Sequence, residues 1–190
     1  MLEDDLAQWV RERVKPKRYT HILGVRDYAT RLAEIHGEPV RPLRIAALLH
    51  DAARDMPREQ MLQQAEAWGI PIMPPQHAEP VLLHAELAVE LARREWAIDD
   101  PAVLSAIRYH TSGHPDMTRS DMIFFLADGL EPTRDYPSVD LLRRIAERDV
   151  HRATRLLLAN SIAYLRAGGK RIHPDTFDLQ ARLESEARSS

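Results

Sequence analysis

Apolar residues recur at helical spacing along nearly the whole chain, and no convincing strand alternation interrupts them. The pattern predicts a first helix over about 2–14, broken near Pro16, and a second over about 17–36 that ends at Gly37. A third, over about 42–54, is apolar on nearly all sides, which marks a buried central helix. Asp55 and Pro57 restart a helix that stops at Gly69, and three prolines make residues 70–76 a loop. The next helix covers about 77–96. Asp99-Asp100-Pro101 opens another that ends near His110-Thr111, before Gly113. Thr118-x-x-Asp121 matches a capping box for the helix that follows. Residues 131–137 read as a loop, Ser138 begins a helix to about 149, and a long one reaches Ala167 before Gly168-Gly169. Asp175 starts a short final helix, and the last residues, through Ser189-Ser190, read as frayed. The expectation is an all-α helical bundle, with residues 1–190 forming one domain.

Composition narrows the chemistry more than the fold. At 190 residues, 44% hydrophobic and 29% charged, the chain can bury one core and keep a solvated surface. A net charge of −3 offers no long-range attraction to nucleic acid or anionic membrane, although 26 Lys and Arg allow a local basic pocket. The absence of cysteine excludes disulfides, zinc ribbons, iron–sulfur clusters and thiol catalysis. Any metal must then be held by imidazole and carboxylate, which suits Fe, Mn, Co, Ni or Zn. Met1-Leu-Glu-Asp-Asp-Leu lacks the apolar region of a signal peptide, and no apolar run approaches the roughly 20 residues of a spanning helix. The chain is expected to be cytoplasmic, with neither nucleic acid nor membrane as a partner. The oligomeric state stays open, a homodimer included.

Against that background six residues stand out: His21, His50, Asp51, His84, His110 and Asp128. Five of them end or interrupt an apolar, helix-like run. Arg44-Ile-Ala-Ala-Leu-Leu-His50-Asp51 closes an apolar stretch with an imidazole and a carboxylate, and Met122-Ile-Phe-Phe-Leu-Ala127 leads into Asp128. A carboxylate set against an apolar core is costly unless it is paired or bound to metal. Asp51 reads equally as the exposed end of a helix, salt-bridged to Arg54. Asp128 reads as a helix C-terminal residue whose charge opposes the macrodipole, a conflict that a nearby cation relieves. His84 follows Val81-Leu-Leu83 and His110 follows Ile107-Arg-Tyr109; either fits a core histidine bonded to backbone. What favours metal is the joint pattern, because helical bundles build metal sites from ligands on separate helices. His36, His77, His114 and His151 sit at helix ends, in a loop or on a charged face, and Trp9, Trp68 and Trp96 read as packing.

The order H…HD…D on helices resembles the HD superfamily of metal-dependent phosphohydrolases. Flanking motifs sharpen the likeness: Tyr19-Thr-His21-x-Leu-Gly24-Val25, Ala46-Ala-Leu-Leu-His-Asp51, Leu82-Leu-His84, Ala106-Ile-Arg-Tyr-His-Thr111, Leu126-Ala-Asp128, Glu131-Pro-x-Arg-Asp135 and Ile172-His-Pro-Asp-Thr176. Together they are similar to the YqeK-type HD proteins, the symmetrical bis(5′-nucleosyl)-tetraphosphatases, over about 17–178. The resemblance implies an HD-domain core over that range, with the helix at 2–14 and the C-terminus as appendages. It implies His21, His50, Asp51 and Asp128 as iron ligands. His84 and His110 become ligands of a second metal, giving a di-iron site, or contacts to phosphate; Mn, Co or another divalent ion also fits. It further implies that Thr111, Arg134, Arg171, Ile172 and His173 join the ligand residues His21, Asp51, His84, His110 and Asp128 in holding nucleotide. The chain departs from the family in having Arg54 where His-Asp-x-x-Lys is common, Thr133 and Ser138 where glycine is usual, and Gly129 where a bulkier residue follows the Asp.

The implied activity is hydrolysis of diadenosine tetraphosphate and related dinucleoside tetraphosphates to two nucleoside diphosphates. A bound metal lowers the pKa of its water from 15.7 toward roughly 7, and a second ion about 3.5–4 Å away would also polarise a phosphoryl oxygen. Asp51 can touch both ions through its two oxygens. Asp51, His84, His110 and Arg134 are the expected catalytic residues, His84 as general acid if it is not a ligand, and Arg134 as a planar fork for phosphate oxygens or a surface residue paired with Asp135 or Glu131. The ligands without the resemblance support only metal-assisted phosphate hydrolysis. That leaves a nucleoside monophosphatase, a guanosine-tetraphosphate hydrolase, or a non-catalytic nucleotide-binding regulatory module as competing readings.

Overall fold

The structure, a computed structural model, describes residues 2–189, and Ser190, expected from the sequence to fray, lies outside them. Its helices are α1 (Leu2–Arg11), α2 (Pro16–His36), α3 (Val40–Leu49), α4 (Arg58–Ala67), α5 (Pro74–Ala78), α6 (His84–Trp96), α7 (Pro101–Tyr109), α8 (Arg119–Leu130), α9 (Val139–Ala146), α10 (Val150–Ala167) and α11 (Pro174–Ser189). A 3₁₀ turn, Pro80–Leu83, precedes α6. There is no strand among the described residues, as the sequence pattern predicts. None of their helices is long and apolar enough to cross a membrane.

The apolar third helix is central. Leu43, Ala46, Ala47, Leu48 and Leu49 are fully buried, and α3 packs against α1, α2, α6, α7 and α8. One continuous apolar cluster runs from Leu6 in α1 to Leu183 in α11. Helix starts follow the expected chemistry. Thr118 and Asp121 form the reciprocal capping box of α8, and Asp100 accepts the Ala102 amide at the start of α7. Trp9 and Trp96 meet edge to face at 5.8 Å between ring centroids, so both are packing residues.

Three expectations are corrected. The third helix ends at Leu49, and residues 50–55 form turns, with Ala52 N bonded to Leu49 O and Arg54 N to Asp51 O. The helix expected over 77–96 is broken. Pro80 lacks a donor and disfavours helical backbone at Glu79, which adopts φ −128° and ψ 78°. His84 therefore opens α6 instead of lying within a longer helix. The final helix is not short: α11 has 16 residues. Leu179 and Leu183, four apart on its inner face, are buried, and Arg182 donates to Met117 O at 3.1 Å.

Candidate metal centre

The six ligand-type residues converge. His21 comes from α2, His50 and Asp51 from the turn after α3, His84 from the start of α6, His110 from the end of α7, and Asp128 from the last turns of α8. His50, Asp51, His84 and His110 are each at most 4% exposed, and His21 is 9% exposed.

Asp51 divides this constellation into two clusters. Its Oδ2 lies 3.9 Å from His21 Nε2 and 3.8 Å from His50 Nε2. Asp128 Oδ1 faces the same two nitrogens at 3.0 and 3.8 Å. The other oxygen, Asp51 Oδ1, lies 3.4 Å from His84 Nε2 and 3.8 Å from His110 Nε2. Within each of the sets His21/His50/Asp51 and Asp51/His84/His110, the ligand atoms fall within 4.8 Å of one another. One carboxylate thus serves both groups.

The backbone fixes which ring nitrogen faces inward. His50 Nδ1 donates to Ala47 O at 2.8 Å, His84 Nδ1 to Val81 O at 2.5 Å, and His110 Nδ1 to Ile107 O at 2.6 Å. His21 Nδ1 donates to Glu131 Oε1 at 3.0 Å. With Nδ1 holding the proton, the Nε2 atoms of His50, His84 and His110 turn lone pairs into the same space, the orientation that metal-binding histidines take from their outer partners; His21 Nε2 faces it too and, without an ion, donates to Asp128 Oδ1. Two observations show that these atoms fit a cation. His50 Nε2 is buried with no hydrogen-bond partner. His84 and His110 bring their Nε2 atoms to 3.0 Å from each other, with only the Thr111 hydroxyl, 3.1 and 3.0 Å away, to donate to one of them. An imidazole and carboxylate set of this kind suits a divalent transition metal.

Electrostatics separates the imidazoles. Burial pushes His50 down to about 4 and His84 down to about 3, so both are neutral at pH 7. Burial would lower His21 too, but hydrogen bonds to Asp128 and Glu131 outweigh it and raise the ring to about 9. Burial would raise the Asp51 carboxyl, yet His50, His84 and His110 hold it well below its usual range. Asp128 is likewise held low, by His21 and Arg134 against burial. In the absence of an ion, the protonated His21 ring shares with Arg134 the balancing of Asp128, and Arg18 balances Asp51.

Around the clusters stand Arg134, expected from the sequence, and two residues whose part in the site the sequence did not disclose, Glu131 and Arg18. Glu131 is fully buried and accepts from His21, from the Thr133 amide at 2.7 Å and from the Thr133 hydroxyl. It fits because position 24 lacks a side chain: a Cβ on Gly24 would stand 2.6 Å from Glu131 Oε2. Asp51 is paired with Arg18, Nη1 to Oδ2 at 2.5 Å, and not with Arg54 as the exposed-helix-end reading had it. Arg134 donates to Asp128 through Nε to the backbone oxygen at 2.8 Å and through Nη2 to Oδ1 at 3.0 Å. Its principal partner is therefore Asp128, with Glu131 Oε1 second at 3.7 Å from Nε; Asp135 is not its partner. A glycine inside the predicted helix at position 24 was the available signal for the close approach of Glu131; nothing local signalled Arg18.

A cleft of about 190 Å³ opens beside the second cluster, lined among others by Gln76, Glu86, Arg108, Thr111, His114 and His173. His173 and Thr111 thus share a wall. Ile172 packs against the core, and Arg171 is exposed next to them. The His114 ring stacks on Tyr109 at 4.6 Å.

Residues 18–133 match the HD domain family, and the chain belongs to it. Within that family it is similar over nearly its whole length to proteins named bis(5′-nucleosyl)-tetraphosphatase, symmetrical. The relative from Bacillus subtilis (strain 168) is 36% identical over 177 residues, 93% of this chain and 95% of that protein. The relative from Halalkalibacterium halodurans is 34% identical over 189 residues, 95% of this chain and 96% of its own. Among solved structures, one described as a predicted HD superfamily hydrolase involved in NAD metabolism, from Clostridium acetobutylicum, superposes with a TM-score of 0.92 at 34% identity. The match covers 96% of this chain and 97% of that one.

Proposed function

We propose that this chain is a hydrolase that splits dinucleoside tetraphosphates symmetrically into two nucleoside diphosphates, acting as one HD domain in the cytoplasm. The observation that carries the reading is Asp51 placed between two imidazole clusters, one oxygen to each. The near full-length relatives that bear the name of this activity supply the substrate. His21, His50, Asp51 and Asp128 would hold one ion, and Asp51, His84 and His110 a second, iron being the metal proposed. When bound, such ions supply an activated water and a Lewis acid for a phosphoryl oxygen.

The chain's own residues do the rest. The backbone carbonyls of Ala47, Val81 and Ile107 lock three imidazoles with Nε2 inward, and Glu131 does the same for His21. Arg134, at the rim beside Asp128, holds that carboxylate with Nε and Nη2 and would offer its remaining guanidinium donors to developing phosphate charge. Thr111, whose hydroxyl touches His84 and His110 and which lines the cleft, would bond a phosphate oxygen. The segment Arg171-Ile172-His173 is proposed to close on the nucleotide from the same side.

The test is incubation of metal-reconstituted protein with diadenosine tetraphosphate and chromatography of the products. Two ADP per substrate is the expected result, and ATP plus AMP would overturn the symmetric assignment. Elemental analysis of protein purified without chelators tests iron: another metal bound at stoichiometry would replace it.

A further inference from the structure

Four charged side chains meet beside the shared carboxylate: Arg18, Asp51, Arg54 and Asp55. Arg18 takes both acids, with Nη1 2.5 Å from Asp51 Oδ2 and Nε 3.3 Å from Asp55 Oδ1. The remaining Asp55 oxygen accepts the Lys15 amide at 2.9 Å. Arg54 is left over. Among the described residues its side chain has no hydrogen bond or ion pair, and Nη1 is buried without a partner. Only its backbone is engaged, through Arg54 N to Asp51 O at 2.9 Å.

Arg54 as a whole is half-buried, but a donor taken out of water without an acceptor or counter-charge is costly. Arginine does not escape by losing its proton. Burial pulls the Arg54 guanidinium below its ordinary value, while Asp51 works in the opposite direction. The field of Arg54 reaches His84, whereas that of Arg134 reaches His21. The first cluster therefore has two guanidinium groups beside it, Arg134 tied to Asp128 and Arg18 tied to Asp51 Oδ2, whereas Arg54, on the side of the second, is tied to nothing. An anion entering beside His84 would meet a cation with donor capacity to spare.

We infer that Arg54 binds a non-bridging phosphate oxygen of the substrate on the His84 side, and that Arg18 keeps it free by occupying Asp51 and Asp55. The inference rests on the dinucleoside tetraphosphate reading for the substrate. It gives the arginine of His50-Asp51-Ala52-Ala53-Arg54 a task of its own: a planar fork can hold two oxygens of one phosphate, which an ammonium cannot.

Binding of ADP and of adenosine to metal-loaded wild type, Arg54→Met and Arg54→Lys, measured by calorimetry, tests it. Arg54→Met should weaken ADP at least tenfold and leave adenosine unchanged, because a hydrogen bond to a charged group is lost without damage to the base site. Arg54→Lys should recover part of the ADP affinity. The melting temperature of Arg54→Met should not fall, since the charge removed has no partner. Steady-state KM for diadenosine tetraphosphate should rise by more than kcat falls. Equal losses for ADP and adenosine, unchanged ADP affinity, or no ADP binding by wild type would overturn the inference. If wild type fails to hydrolyse diadenosine tetraphosphate while the ADP-specific loss persists, the substrate assignment falls and the phosphate role of Arg54 stands.

Discussion

Gly24→Ala sets two effects of opposite sign against each other. Gly24 lies within α2, where alanine is favoured over glycine by about 1 kcal/mol. The new methyl carbon would lie 2.6 Å from Glu131 Oε2, while ordinary contact begins near 3.4 Å, so something must give by about 0.8 Å. Glu131 has little room, being fully buried and held by Thr133 and His21. Site geometry tolerates about 0.5 Å, so the His21–Glu131 bond is expected to lengthen or break. Loss of such an outer partner typically lowers metal affinity 10–100-fold, or about 1.4–2.7 kcal/mol. Metal-free Gly24→Ala should then melt below wild type, because the helix gain only partly offsets the weakened His21–Glu131 bond, while its metal affinity, measured by competition with a chromophoric chelator, drops at least tenfold. Glu131→Asp on the same background retracts the carboxylate by one methylene and should restore part of the affinity, read as a coupling in a double-mutant cycle. Affinity within twofold of wild type in Gly24→Ala would refute the argument that the glycine is there to admit Glu131.

Chelation should lower the melting temperature of purified protein, and a divalent ion at about 100 times its Kd should restore about 2.7 kcal/mol; a melting curve indifferent to chelator would contradict ligation by the two clusters. Metal binding at pH 7 should release a proton from His21, which metal-free protein holds up to about 9, and affinity should climb by up to about tenfold per pH unit toward that value. Calorimetry in two buffers of different ionisation enthalpy measures the release, and none at pH 7 would count against His21 as a ligand. In metal-free protein the same raised value makes His21 stabilising below its ordinary 6.5, a contribution that disappears as pH rises through about 9. Ser138→Gly should stabilise the fold by about 1 kcal/mol, because Ser138 holds φ 76°; a lower melting temperature would show that its contact with Asn160 matters more.

What the sequence disclosed is what neighbours along the chain determine. The apolar run ending in His50-Asp51 is local, as is the Thr118–Asp121 capping box; Pro80, which splits 77–96, is a local signal too, but the apolar periodicity on either side of it masks the break. Contacts that depend on where two helices cross were not legible. Glu131 orients His21 across 110 positions of sequence, and Arg18 takes Asp51 across 33. Along the chain Arg54 looked like the partner of Asp51, three residues away. In the turn that replaces the end of α3 it loses that contest to Arg18 on α2. The departures from the family acquire physical content in the same way. Ser138 occupies a left-handed conformation that favours glycine, so the usual glycine there is a backbone requirement that this chain meets at a cost in strain. At Gly129 the exchange runs the other way: a Cβ would meet Leu157 Cδ2 at 2.6 Å, so α10 fills the volume that a larger residue after Asp128 would claim. Both changes lie in or next to the α8–α9 segment that carries Asp128, Glu131 and Arg134, yet neither removes a side chain that faces the clusters.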